Sequence, residues 1–91
     1  MTQEIKCIIT GRVQMVMFRD FVSREAKALN LVGTVRNVSD GSVEITAQGP
    51  KEDLQEFITH LEKGPFLARV AHVDVEWKES QDTFSSFNII Y

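Results

Sequence analysis

Ser39-Asp40-Gly41 sits midway along the chain between two short apolar runs, and this turn constrains the fold more than any other feature of the sequence. Asp-Gly favours the tight turns that join antiparallel strands, because both residues tolerate positive φ. A strand over residues 31–37 and another from Val43, where Val43, Ile45 and Ala47 alternate with Glu44, Thr46 and Gln48, therefore make a central hairpin. A helical pattern lies on either side of it. Phe18, Val22, Ala26 and Leu29 recur near the helical period over 18–29, and Asn30 suits the left-handed residue that ends a helix. Leu54, Phe57, Ile58 and Leu61 mark the apolar face of a second helix. Pro50 is expected at its first position, Glu52 and Asp53 near its positive end, and Lys63-Gly64-Pro65 as its stop. An apolar strand over 4–10, with Ile5, Cys7 and Ile9 on one face, precedes the first helix. After the second come a strand over 69–77, with Ala71, Val73, Val75 and Trp77 alternating, a loop over 80–83 and a short strand over 84–90.

The order is βαββαβ plus a terminal strand. That predicts an α+β protein of ferredoxin-like arrangement, an antiparallel sheet with two helices on one face. With 91 residues and 43% hydrophobic content, one domain over 1–91 is expected, with an adequate core. Cys7 is the only cysteine, so no intrachain disulfide forms, and its place in an apolar strand makes it a small core residue rather than a reactive thiol. His60 and His72 read as surface histidines.

The segment Gly11-Arg12-Val13-Gln14-Met15-Val16-Met17-Phe18-Arg19 joins the first strand to the first helix. A short loop entering a helix N-terminus can aim several backbone N–H groups at one anion, assisted by the partial positive charge of the helix end. No proline interrupts it, so every residue keeps its donor. Arg19 adds a planar, permanently charged fork suited to two phosphate oxygens. A cation is mildly unfavourable at a helix start, unless an anion sits between it and the amides. The local reading is an oxyanion cradle, with phosphate as the fitting ligand.

Gly-Arg-Val-Gln-x-Val-x-Phe-Arg resembles the signature loop of the acylphosphatase family. Gly33-Thr34-Val35-Arg36-Asn37 follows at the matching distance, then Gly41-Ser42-Val43 and Gly49. Gly64-Pro65 with Ala68, Val70 and Val73, and the ending Phe87-Asn88-Ile89-Ile90-Tyr91, extend the resemblance over nearly the whole chain. It implies the same ferredoxin-like fold. It also implies hydrolysis of the carboxyl-phosphate bond of small acyl phosphates to carboxylate and phosphate, without cofactor or metal. By the same resemblance Arg19 binds the phosphoryl group, Asn37 holds the attacking water, and Arg12, Val13, Gln14, Met15, Val16, Met17 and Phe18 form the phosphate-binding loop. An amide suits the role of Asn37, because it both accepts from and donates to one water without changing protonation state. Two departures stand out. Met15 occupies a position where the family usually has glycine, and Thr34 one where it has an aromatic residue. The first leaves an alternative open, an acylphosphatase-like phosphate- or anion-binding domain with weak or no turnover.

The chemistry matches this sparse equipment, since an acyl phosphate is already activated and needs charge neutralisation and a placed water. Other classes fit less well. The net charge of −3 argues against a general nucleic-acid binder, although Arg12, Arg19 and Arg36 can form a local basic patch. The sheet-borne aromatics of a ferredoxin-like RNA-binding domain are missing from the central strands. There is no Cys-x-x-Cys pair for a metal chaperone, no cluster with metal-ligand spacing and no carboxylate dyad. No segment is long and apolar enough to span a bilayer, and the N-terminus does not read as a signal peptide. The expectation is a cytoplasmic monomer acting on a small-molecule acyl phosphate, with phosphate as product or competing ligand and no nucleic-acid or membrane partner.

Overall fold

A computed structural model of the chain describes residues 2–14, 17–80 and 83–91. The elements in chain order are β1 (Thr2–Arg12), α1 (Phe18–Ala28), β2 (Val32–Asn37), β3 (Val43–Pro50), α2 (Lys51–Lys63), β4 (Arg69–Lys78) and β5 (Phe87–Ile90). They form one sheet in the order β4-β1-β3-β2-β5. β1 pairs antiparallel with β3 and β4, and β2 pairs antiparallel with β3. β5 runs parallel to β2, so the sheet is mixed at that edge rather than wholly antiparallel. This is the ferredoxin-like arrangement, with its two helices packed on the sheet.

Ile5, Cys7 and Ile9 of β1, Val35 of β2, and Val43, Ile45 and Ala47 of β3 are fully buried beneath Phe18, Val22 and Ala26 of α1 and Leu54, Phe57 and Leu61 of α2. The period-2 and period-3.6 stripes of the sequence thus meet in one core. Burial pushes the Cys7 thiol up to about 12, which keeps it protonated at neutral pH, as expected for a core residue. His72 is exposed as expected, whereas His60 is only half-exposed, its Nδ1 lying 2.7 Å from Glu25 Oε1 across the two helices.

Several boundaries differ from the sequence expectation, each for a local reason. Pro50 ends β3 and caps α2 from outside at φ −62° and ψ 146°, so the helix begins at Lys51. In β4 the apolar alternation slips at Ala71. The pairing moves from Thr10↔His72 to Gly11↔Val70, which leaves Ala71 exposed in a bulge and turns Val70 toward the core. Gly11 makes this possible. Its φ is +126°, and a Cβ there would collide with the Arg69 carbonyl oxygen. The bulge in β4 lies beside the end of β1, just before the loop to α1. The last strand begins at Phe87 rather than Phe84, because β2 offers it only Gly33 to Arg36 as partners. The loop expected over 80–83 falls partly outside the described residues, at 81 and 82. Thr34, the missing aromatic, lies half-buried on the sheet between Thr46 and Asn88.

Candidate active site

The ends of β1, β2 and β5 and the first turn of α1 converge around one small cavity. Its volume is about 90 Å³, and Val13, Met17, Phe18, Arg19, Asp20, Asn37, Ile89 and Tyr91 line it. At roughly 15 Å³ per water-sized group, it has room for a phosphoryl group and a water, but not for a large ligand.

Val13 and Phe18 are almost fully buried and form its floor. Met17, the residue that precedes α1, has a left-handed backbone at φ 59° and ψ 26°. Among the described residues no side chain caps the helix, so the first N–H groups of α1 have no partner from the Met17 side chain. Arg19, in that first turn, makes no ion pair with any described residue. Its guanidinium lies over the Tyr91 ring instead, 4.7 Å from the centroid. This stack restrains a long side chain without neutralising it.

Asn37 closes β2 opposite Val43, on the face that carries the core. Its side-chain oxygen is buried and has no hydrogen-bond partner among the described residues. A buried amide oxygen in this position is available to accept from a water or a ligand group. A water brought in with the substrate would satisfy it.

Gln14 couples these two parts. Its Nε2 donates to the carbonyl oxygens of Val38 and Ser42, each at 2.8 Å. The side chain therefore clips the loop to the β2–β3 turn that carries Asn37. That turn is itself held closed. The Asp40 carboxylate accepts from the Ser42 N–H at 2.9 Å and from the Ser42 hydroxyl at 2.6 Å. These bonds hold the Asp40 carboxyl below the usual carboxylate range, the hydroxyl contributing most. Val38 N–H bonds to the Ser42 carbonyl and Gly41 N–H to the Val38 carbonyl.

The structure thus brings together Val13, Met17, Phe18, Arg19 and Asn37 around the cavity. Gln14 serves it from the side. Met15 and Val16 lie outside the described residues. Arg12 is exposed at the end of β1, opposite Arg69, and does not line the cavity. Arg36 bonds Glu44 at 2.9 Å and does not join Arg19 in the basic patch that Arg12, Arg19 and Arg36 could have made. The alternation of β2 turns Arg36 away from the face that carries Asn37. Asp20, Ile89 and Tyr91 were not anticipated. For Tyr91 the only signal was an aromatic residue at the end of the last apolar run, and its neighbour could not be known before β5 was placed beside β2.

A family model described as Acylphosphatase matches residues 5–89. The chain belongs to the acylphosphatase family. A named acylphosphatase of Salinibacter ruber is 45% identical over 87 residues, covering 96% of this chain and 92% of its own. One from Thermus thermophilus is 49% identical over 72 residues, 79% of this chain and 82% of its own. The crystal structure of an acylphosphatase from Bacillus subtilis superposes with a TM-score of 0.95 at 38% identity, covering all of both chains. Family, fold and named relatives agree on an acylphosphatase, a hydrolase acting on acid anhydrides. They do not favour the alternative of an anion-binding domain without turnover. Among the described residues no helix is long and apolar enough to cross a membrane.

Proposed function

We propose that Arg19 and Asn37 carry acyl phosphate hydrolysis in this chain, Arg19 by binding the phosphoryl group and Asn37 by holding the attacking water. One observation carries the reading: the buried oxygen of Asn37, which has no partner among the described residues, shares its cavity with a cation that is paired to no described carboxylate. The phosphoryl oxygens take the Arg19 fork and the uncapped N–H groups at the start of α1. A water donates one O–H to Asn37 Oδ1, and its oxygen attacks phosphorus in line with the carboxylate leaving group. The new P–O bond forms as the old one breaks, and the bonding pair leaves with the carboxylate. The water proton passes to a phosphoryl oxygen, giving carboxylate and phosphate. Positioning and charge neutralisation carry the acceleration, so no strong general base is needed.

The working unit is a single domain over residues 1–91, a cytoplasmic monomer that uses neither metal nor cofactor and engages no nucleic acid. Arg19→Lys tests the first assignment. A point charge cannot replace a bidentate fork, so a folded Lys variant is expected to lose on the order of 10²-fold in kcat/KM and at least tenfold in phosphate affinity. An unchanged inhibition constant for phosphate would remove Arg19 from the site.

A further inference from the structure

We infer that Met17 and Tyr91 form an apolar rim that selects the acyl part of the substrate, favouring extended apolar acyl groups over acetyl. The inference rests on the reading above, which seats the phosphoryl group between Arg19 and Asn37. The cavity of about 90 Å³ is filled by that group and its water, so the acyl portion must leave through the mouth. There it meets two large side chains that solvent covers in the free protein. Met17 is 72% exposed and Tyr91 92% exposed, yet both line this one cavity.

Neither placement is explained by packing. Exposure of this kind buries little apolar surface and so contributes little to the fold. Met17 also adopts a left-handed backbone that a side chain disfavours, and such strain persists where the surroundings enforce it, typically at functional sites. Its unbranched thioether adapts to ligands of irregular shape. The Tyr91 ring has one face against the Arg19 guanidinium and offers a rigid wall at low entropic cost. A chain of methylene groups leaving the phosphoryl site would pass against these side chains.

Acetyl and hexanoyl phosphate test this, because their leaving groups are both unbranched aliphatic carboxylates of similar basicity. The wild-type kcat/KM should favour hexanoyl phosphate by about tenfold, a ratio that partial burial of the extra methylene groups suffices to give. Met17→Gly suits the left-handed backbone and removes the side chain, and Met17→Asn keeps a residue that tolerates it. In both the ratio should fall by at least about threefold, since one apolar wall is gone. Tyr91→Ser should lower it similarly. Tyr91→Leu should preserve the ratio while weakening phosphate inhibition, because it keeps the wall and loses the stack on Arg19. A wild-type ratio near one overturns the inference, as does a ratio that survives both Met17 variants and Tyr91→Ser. If the wild-type protein turns over neither substrate, the underlying reading fails instead.

Discussion

Removing the Gln14 clip separates two parts of the site without touching either one. Gln14→Leu keeps the approximate shape of the side chain and deletes both donors. The Val38 and Ser42 carbonyls each keep one backbone bond, from Gly41 and Val38 respectively, so neither is orphaned. At about 0.5–1.5 kcal/mol for each of the two hydrogen bonds lost, and with no stranded acceptor, the expected loss of stability is about 1–3 kcal/mol. For a domain of this size that lowers the urea midpoint by roughly 1–2 M and Tm by about 4–24 °C. The kinetic effect should exceed what stability explains. With the clip gone, the β2–β3 turn can shift relative to the loop, and a displacement of about 1 Å at a reacting group costs up to about 10²-fold. Turnover of an acyl phosphate, measured well below the unfolding transition, should therefore fall by about tenfold or more. Phosphate inhibition should weaken less, because Arg19 and the helix end stay where they are. A variant within about 0.5 kcal/mol of wild type in urea, with kcat unchanged, would refute the claim that Gln14 couples the loop to Asn37.

Asp40 should impose an acid limit on the same turn. Its pKa is lowered in the folded protein, so its contribution is fully present above the unfolded value of about 3.9 and is lost as pH falls through the folded value. The gap in unfolding free energy between wild type and Asp40→Asn should narrow below about pH 4, and a gap constant from pH 7 to pH 3 would contradict this. Cys7, buried and pushed up to about 12, should resist thiol reagents in the native state and react only as fast as the protein opens. Rapid modification at neutral pH without denaturant would show that β1 is more accessible than its burial indicates.

Much of the fold was legible because its elements announce themselves through spacing. The β1, β3 and helix stripes lie in the core as the alternation required, and Asn30 takes its left-handed conformation at φ 59°. What escaped were features set by pairing rather than by local pattern. The slip at Ala71 depends on which residue of β1 faces it, and the late start of β5 on how much of β2 is free. Arg19 and Asn37 could be singled out because a loop, a helix start and a family motif coincide on them. Tyr91 and the clip by Gln14 could not, since each joins segments that become neighbours only when the sheet is assembled. Arg36 illustrates the opposite error. It was grouped with Arg12 and Arg19 by charge, yet strand alternation carries it to the other face and into a bond with Glu44.

The central claim is a division of labour, in which Arg19 binds the phosphoryl group and Asn37 holds the water. Asn37→Ala tests it most directly when kcat for an acyl phosphate and the inhibition constant of inorganic phosphate are measured on the same folded variant. Losing the group that positions the nucleophile should lower kcat by about 10²–10³-fold, while phosphate inhibition stays within about threefold of wild type. If kcat survives, or if turnover and phosphate affinity fall in parallel, Asn37 does not hold the water.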